Sequence, residues 1–255
     1  DHVTSHDGRV ATLRKEERYM TQVGTLYGLG VGPGDPDLIT LKAHAILQRV
    51  PVIAYPAPDT GDSLARAIAA PHLPGGQEEI VIRTPMVPGA FPANDVYDHY
   101  AGEIREHLNA GRDVAVLCEG DPFLYGSFMY VFSRFVDAGK VVVVPGVSSL
   151  GACAAAAGSP LVSRNQVLTV LPATLDEGEL EQRIQNSAAV AVMKVGRHAA
   201  KVRAVLERLG RADTAWYVEH ATMDNEKVLP LAEFSDPKAP YFSMILVRER
   251  EGVTP

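Results

Sequence analysis

Two loops rich in glycine and proline constrain this sequence more than any other feature. The first loop, Gly28–Pro36, reads GLGVGPGDP, and about 90 residues later the second loop, Cys118–Gly126, reads CEGDPFLYG. Each follows a short apolar run that is typical of a buried strand, and each precedes a helical pattern. Open α/β sheets bind ligands at the carboxyl ends of their strands, where glycine lets the backbone approach a ligand closely. We therefore expect an α/β fold in which both loops contact one ligand.

Strand-like and helix-like segments alternate along the chain, which favours βαβ units with parallel strands. The predicted strands are Thr25–Val31, Pro51–Ala54, Glu79–Arg83, Val114–Cys118, Val141–Val144, Val167–Leu171, Ala188–Met193, Thr214–Glu219, residues 224–231 and Tyr241–Val247. The predicted helices are Leu38–Gln48, Ser63–Ala70, Val96–Leu108, Leu124–Ala138, Leu150–Ala157, Glu177–Gln185 and His198–Leu209. The turn Pro145–Ser149 breaks this pattern before an alanine-rich helix. We place a hinge there and predict two α/β domains, residues 20–145 and 146–255.

The first 19 residues differ from the rest of the chain because they are polar and lack hydrophobic periodicity at their start. We interpret residues 1–19 as an N-terminal tail or an added leader, with an internal start at Met20. A native helical arm through Leu13–Tyr19 is the alternative.

Composition and charge narrow the class of protein. The 255 residues are 46% hydrophobic, and the formal net charge is -7 with no basic cluster, so we do not expect binding to nucleic acid. No apolar run approaches 18 residues, so we expect no membrane span. Cys118 and Cys153 form no CxxC pair, and a chain without a disulfide framework is typical of the cytoplasm.

Several well-known motifs are absent. A dinucleotide GxGxxG pattern fails in every register of the first loop, because Pro33, Asp35 or Asp37 occupies the third glycine position. The chain has no GxxxxGK[ST] phosphate loop, and its eight histidines show no metal-binding spacing, so we expect no metal. No activated nucleophile stands out. This pattern favours a reaction driven by positioning of the reactants rather than by covalent catalysis.

Each polar residue in these loops also has a purely structural interpretation. Asp121 is placed to cap a helix at Leu124, and Ser148 or Ser149 to cap the next one. Met193 ends an apolar strand and suits a core. Three basic residues either bind carboxylates of an anionic substrate or are simply solvated: Arg164, Lys194 and Arg197.

Four motifs in order carry a family resemblance: GLGVGPGDPDLITLKA, EGDPFLYGS, VPGVSS and MKVGR. Together they resemble the tetrapyrrole methylases, S-adenosylmethionine-dependent enzymes of corrin and sirohaem synthesis. The resemblance covers residues 24–248. Within that family, Leu171–Thr174, Pro240–Leu246 and the pair Met129-Tyr130 resemble the precorrin-2 C20-methyltransferases.

The resemblance implies two α/β domains with the active site in the cleft between them, a homodimer, and S-adenosylmethionine as methyl donor. It also implies a set of donor-binding residues: Pro33, Gly120, Asp121, Leu124, Ser148, Ser149, Met193, Ala221, Tyr241, Phe242 and Ser243. Cys118 departs from the expected pattern, since a hydroxyl residue is expected before the Glu-Gly-Asp sequence.

The implied reaction is C-methylation of precorrin-2 at C20, which gives precorrin-3A in cobalamin biosynthesis. The substrate supplies the nucleophile, and a proton must then leave C20. Asp35, Glu119 and Tyr125 are candidate proton acceptors by loop position. The alternatives are C20 methylation of cobalt-factor II, a related methylase acting on RNA or protein, and a carrier that binds a tetrapyrrole without turnover.

Overall fold

The computed structural model of the chain describes residues 22–84 and 94–248, so the predicted leader, the alternative arm and Met20 lie outside the described residues. The described residues form ten strands: β1 (Thr25–Gly30), β2 (Val52–Pro58), β3 (Glu78–Thr84), β4 (Val114–Cys118), β5 (Lys140–Val144), β6 (Leu168–Pro172), β7 (Ala189–Met193), β8 (Ala215–Glu219), β9 (Lys227–Pro230) and β10 (Ser243–Val247). They also form seven α-helices: α1 (Leu41–Leu47), α2 (Leu64–Ala69), α3 (Asn94–Asn109), α4 (Phe128–Phe132), α5 (Ser149–Ala156), α6 (Glu177–Gln185) and α7 (Ala199–Arg208).

These elements divide into two compact units. Of the described residues, the first unit holds those up to Val31 together with Ile39–Gly146, and the second holds Gly32–Leu38 and those from Val147 onward. The segment Gly32–Leu38 therefore groups with residues more than a hundred positions away in the sequence. The predicted domain limits, 20–145 and 146–255, stay predictions.

The first unit is built on a parallel sheet with the strand order β3-β2-β4-β1-β5. Side chains alternate between its faces: Leu26 joins a core that includes α3 and α4, whereas Tyr27 joins a core that includes α1 and α2. Because both faces are covered, the strands consist of nearly unbroken apolar runs. The expectation of a parallel α/β sheet is confirmed for this unit.

The second unit contains a mixed sheet with the order β6-β7-β10-β8-β9. β6 and β7 are parallel, while β10 runs antiparallel to β7 and β8, and β9 antiparallel to β8. Helices α6 and α7 contribute to the core on one face, and α5 to the core on the other. The unit is thus α/β, as predicted, but its sheet is not purely parallel.

One predicted helix is wrong in its extent. The sequence predicts a helix over Leu124–Ala138, whereas α4 covers only Phe128–Phe132. The backbone of Tyr125 has a φ of 52°, which is incompatible with a right-handed helix. Residues 133–137 continue as turns. The second loop is therefore longer than predicted, and α4 begins only after Gly126.

Gly28 is required by packing in the core. A Cβ atom built on Gly28 would lie 2.6 Å from Cζ of Phe128, whose side chain is fully buried in α4. The ring has little room to move because interiors are closely packed. The first glycine of the first loop therefore lets α4 pack directly on β1.

We expect Gly28→Ala to lower the free energy of unfolding by about 1–3 kcal/mol through overpacking. In a Phe128→Leu background the same substitution should cost less, because the shorter side chain leaves space for the methyl group. Urea unfolding of the wild type, both single variants and the double variant measures this coupling.

Gly102→Ala in α3 is the control, since no atom lies within 4 Å of its built Cβ. It should be neutral or stabilising by about 0.5–1 kcal/mol. An equal cost of Gly28→Ala in both backgrounds would show that Phe128 is not the obstacle.

Candidate active site

The first unit brings the ends of three neighbouring strands to one edge of its sheet. β1 lies between β4 and β5, with Gly30 opposite Cys118 and Leu29 opposite Val144. The second loop follows β4 directly, and the turn at Pro145 follows β5. Because all three strands are parallel, the ends of these strands meet at the carboxyl edge, where α/β sheets bind ligands.

Three glycines allow these strand ends to pack backbone against backbone. A Cβ atom on Gly30 would lie 2.6 Å from the carbonyl oxygen of Gly120 and 2.6 Å from Cα of Gly146. A Cβ on Gly146 would meet the same carbonyl oxygen of Gly120 even more closely. Gly120 itself has a φ of 62°, a left-handed conformation that favours glycine. No side chain larger than hydrogen fits at Gly30 or Gly146.

Asp121 connects the second loop to the end of β5. Its Oδ1 accepts a hydrogen bond from the backbone N–H of Phe123 at 2.9 Å, and its Oδ2 accepts one from the N–H of Gly146 at 3.0 Å. The expectation that Asp121 caps a helix at Leu124 is therefore wrong, since α4 begins four residues later. The predicted contacts of Gly120, Asp121 and Leu124 with the methyl donor stay predictions.

Glu119 is the other acidic residue of the second loop. Burial raises the pKa of its carboxyl, while hydrogen bonds from the backbone N–H groups of Glu119 itself and of Ala65 in α2 act in the opposite direction. The carboxylate is held at the carboxyl edge of the sheet, one residue beyond the end of β4.

The two cysteines are buried and carry no disulfide. Burial raises the pKa of the Cys118 thiol well above its ordinary value, and that of Cys153 to about 12. A thiol that stays protonated is a poor nucleophile. Cys118 therefore behaves as a small apolar residue of the core beneath the second loop.

The remainder of the first loop belongs to the second unit. The backbone N–H of Asp35 donates to Oγ1 of Thr222 at 2.9 Å, and Gly34 packs so tightly that a Cβ would lie 3.1 Å from the carbonyl oxygen of Ala221. Asp35 Oδ1 accepts from the N–H of Asp37 at 2.8 Å. One carboxylate oxygen of Asp35 therefore stabilises the turn that Asp35 begins. Pro33, a predicted donor-binding residue in the same loop, is buried.

One edge of the second sheet gathers most of the predicted donor-binding residues of this unit. Met193 ends β7, and Ser243 at the start of β10 lies opposite Glu219 at the end of β8. The N–H of His220 donates to the carbonyl oxygen of Phe242 at 2.9 Å. Met193 also packs against the core cluster that contains Ala221.

Two aromatic side chains at this edge are exposed. Tyr241 is 56% exposed and Phe242 is 37% exposed, and their rings pack edge to face with centroids 5.0 Å apart. Ser243 is buried, and its hydroxyl donates to the carbonyl oxygen of Pro240 at 2.6 Å, which fixes the entry to β10. The pair therefore offers apolar ring surface to a ligand.

Strained backbone marks the same loops. Four non-glycine residues that closely follow strands β4, β7 and β8 have left-handed φ values: Tyr125 (52°), Lys194 (57°), His220 (49°) and Thr222 (71°). A β-branched residue such as Thr222 is rarely found there. Such strain costs about 1–3 kcal/mol for each residue and is concentrated at functional sites. His220 and Thr222 were not among the predicted site residues, because no sequence motif at these positions points to them.

The two serines of the third motif have different roles. Ser148 Oγ accepts a hydrogen bond from the N–H of Leu150 at 3.0 Å, which confirms Ser148 as the N-cap of α5. Ser149 is the first residue of that helix. Their predicted contacts with the donor stay predictions.

The three predicted substrate-binding cations do not share one location. Lys194 and Arg197 follow the end of β7, whereas Arg164 lies in the loop that leads into β6. Arg197 is exposed, and its Nε lies 3.4 Å from Nε2 of His198. Lys194 and Arg197 thus lie at the edge of the second sheet where Tyr241 and Phe242 lead into β10. Arg164 precedes β6, which is parallel to β7, and therefore lies toward the opposite edge.

Residues 22–84 and 94–248 hold neither a metal-binding cluster nor a membrane-spanning helix. In that part of the chain no three His, Cys, Asp or Glu side chains are grouped so that they could hold a metal ion. Over the same residues, no helix combines the length and apolar character needed to cross a membrane.

Comparison with known proteins gives several strong matches. The chain is 42% identical over 233 residues to the precorrin-2 C(20)-methyltransferase of a Sinorhizobium species, covering 88% of this chain and 95% of that protein. It is 34% identical over 231 residues to the cobalt-precorrin-2 C(20)-methyltransferase of Salmonella typhimurium, covering 89% and 97%. It is 41% identical over 236 residues to the cobalamin biosynthesis protein CobIJ of Mycobacterium tuberculosis, covering 89% of this chain and 46% of that protein. The chain thus spans about half the length of the mycobacterial relative.

A solved structure agrees with the fold. The uroporphyrin-III C-methyltransferase of Thermus thermophilus, in complex with S-adenosylhomocysteine, has a TM-score of 0.64 and 25% identity, covering 88% of this chain and 97% of that chain. The sequence profile of the tetrapyrrole (corrin/porphyrin) methylases matches residues 25–234. The loops that follow β1, β4, β5, β7 and β8 lie inside that match, and the chain belongs to the tetrapyrrole methylase family.

Proposed function

We propose that the chain is an S-adenosylmethionine-dependent methyltransferase that transfers a methyl group to C20 of precorrin-2 and forms precorrin-3A in cobalamin biosynthesis. The observation that carries this proposal is the 42% identity to a precorrin-2 C(20)-methyltransferase over 95% of that protein. The identity to the enzyme named for the cobalt-containing substrate is lower, 34%. The metal-free substrate is therefore the first candidate, and the cobalt form is the second.

The described residues suit the proposed donor. Tyr241 and Phe242 expose ring surface on which a flat adenine could stack, and Ala221 and Ser243 beside them are small and buried. Met193 borders the same core cluster. We assign the methionine and ribose part to the second loop and the serines, so the proposed donor contacts are those of the resemblance: Pro33, Gly120, Asp121, Leu124, Ser148, Ser149, Met193, Ala221, Tyr241, Phe242 and Ser243. A cleft location, the homodimer and the cytoplasmic location stay predictions.

The proposed reaction requires the protein mainly to position the methyl donor and the substrate. The donor supplies a methyl group on a positively charged sulfur, and an electron-rich carbon of the substrate attacks it. Holding two reactants in line contributes about 7–11 kcal/mol in favourable systems. The close packing at Gly30 and Gly146 and the hydrogen bond from Gly146 N–H to Asp121 fix the backbone at the edge of the first sheet, which suits a site that positions reactants. Burial raises the pKa of the Cys118 thiol, so this residue offers no thiolate that could accept the methyl group.

Binding of the reaction product tests the donor site. We expect S-adenosylhomocysteine to bind at micromolar Kd, about -8 kcal/mol, in titration calorimetry. Stacking of a base on an aromatic ring is worth about 1–3 kcal/mol, so Phe242→Ala should weaken binding about tenfold or more. Val136→Ala, which removes a 54% exposed apolar side chain just before β5, is the control and should bind normally.

NAD should not bind, because the first loop lacks the dinucleotide pattern. Tight NAD binding without any response to S-adenosylhomocysteine would contradict the proposed methyl donor. If Phe242→Ala binds S-adenosylhomocysteine as tightly as the wild type, the aromatic pair does not bind the adenine. The other proposed donor contacts would not be affected by that result.

The position of methylation tests the substrate. Incubation of precorrin-2 with a ¹³C-methyl donor should give one new methyl signal per turnover, at C20, when the product is examined by NMR. The cobalt-containing substrate, assayed in parallel, should react more slowly. A methyl group at C11, at C17 or on another ring carbon would overturn the C20 assignment, and label in RNA or protein would overturn the small-molecule acceptor.

A further inference from the structure

Arg83, near the end of β3, is an exposed cation that the structure anchors through one nitrogen. Its Nη1 donates hydrogen bonds to the carbonyl oxygens of Pro58 at 2.7 Å, Gly61 at 3.3 Å and Asp59 at 3.5 Å. These residues belong to the end of β2 and the loop that follows it. Gly61 has a φ of 109°, a conformation that favours glycine. The carbonyl groups of this loop therefore hold one end of the guanidinium in place.

The other two nitrogens of Arg83 face solvent. Within residues 22–84 and 94–248, its Nε and Nη2 make no hydrogen bond, and no carboxylate forms an ion pair with it. Arg66 in the same unit uses this pair of nitrogens to bind Glu79: its Nε and Nη2 each donate to one carboxylate oxygen at 3.0 Å. Such a planar fork matches the two oxygens of a carboxylate. Arg83 therefore presents a carboxylate-binding fork at a fixed position.

The strand register places Arg83 at the edge of the sheet that carries the second loop. Arg83 lies opposite Ala57 of β2. β2 in turn pairs with β4, with Ala54 opposite Val116. Ala57 and Glu119 each lie three residues beyond that pair, so Arg83 is level with the first residue after β4. The strand order β3-β2-β4 separates them by two strand spacings, about 10 Å. The guanidinium is thus anchored at the carboxyl edge, on the same side of the sheet as the proposed donor-binding loop.

We propose that Arg83 binds a carboxylate side chain of the tetrapyrrole substrate through Nε and Nη2. The inference rests on the proposed function, because precorrin-2 carries several carboxylate side chains around its ring. A guanidinium stays charged at any physiological pH, and the anchor at Nη1 reduces the side-chain freedom that is lost on binding. A carboxylate held by Arg83 would fix the orientation of the ring relative to the second loop, which we assign to the methyl donor.

Arg83→Gln, which removes both the charge and the fork, tests this role. KM for precorrin-2 at saturating donor should rise about tenfold or more, because two charge-assisted hydrogen bonds are lost. In contrast, kcat should change little, since the charge of the bound carboxylate is the same in the substrate and in the transition state. Arg83→Lys keeps the charge without the fork, so its KM should lie between those of Arg83→Gln and the wild type.

Two readouts separate substrate binding from support of the loop after β2. The calorimetric affinity of Arg83→Gln for S-adenosylhomocysteine should equal that of the wild type. KM of the wild type should rise with NaCl concentration, because salt screens charge pairs, and it should rise less steeply in Arg83→Gln.

Arg49→Gln is the matched control. Arg49 is exposed, and its Nη1 also donates to a backbone carbonyl, that of Ala45 at 3.3 Å. It precedes β2 and therefore lies toward the amino edge of the sheet. Its substitution removes the same charge and should leave KM and its salt dependence as in the wild type.

An unchanged KM in Arg83→Gln, or a raised KM with the salt dependence of the wild type, would overturn the proposal. If Arg83→Gln fails to fold, Arg83→Lys takes its place, because its ammonium group can still donate to the carbonyl oxygen of Pro58. An unchanged KM in that variant would overturn the proposal as well. If the wild type does not methylate C20 of precorrin-2 at all, the proposed function fails instead.

Discussion

The contact of three backbones at Gly30, Gly120 and Gly146 determines where the strand-end loops of the first unit lie. A carbonyl oxygen of one glycine occupies the space that a Cβ of either other glycine would need. Asp121 then closes the arrangement with one hydrogen bond to Gly146 and one within its own turn. These contacts are made by backbone atoms and by a single carboxylate, so the positions of the three strand ends depend on glycine at Gly30 and Gly146.

In the second unit, a strained residue and its hydrogen bonds fix the position of a loop that follows a strand. Thr222 keeps a left-handed backbone while its hydroxyl accepts a hydrogen bond from Asp35 and its N–H donates to Glu226 at 2.6 Å. These hydrogen bonds thus connect the segment Gly32–Leu38 to the loop that follows β8. A turn held in a costly conformation by specific hydrogen bonds is typical of functional loops.

Much of this arrangement follows from local sequence. Apolar runs such as Val114–Cys118 predict buried parallel strands, and the Pro-Gly-Val-Ser turn predicts the N-cap that Ser148 forms. The four motifs in order identified the family. These features depend on residues that are close together in the chain, so they can be predicted from one sequence.

Other features depend on contacts between distant residues. The helix predicted from Leu124 begins later because Tyr125 adopts a left-handed backbone, which helical periodicity does not reveal. The association of Gly32–Leu38 with the second unit depends on Thr222, which lies 187 residues from Asp35 in sequence. The sequence also does not show which strand end Asp121 contacts, and only its hydrogen bond from the N–H of Gly146 reveals that it joins the second loop to the end of β5.

A crystal structure of the chain with S-adenosylhomocysteine would show whether the strand-end loops bind the methyl donor. We expect the backbone around Gly120 and Asp121 to contact the homocysteine and ribose part, and the adenine ring to lie against Phe242 and Ala221. A ligand bound away from these residues, for example at the amino ends of the strands, would contradict the assignment of the strand-end loops as the methyl-donor site.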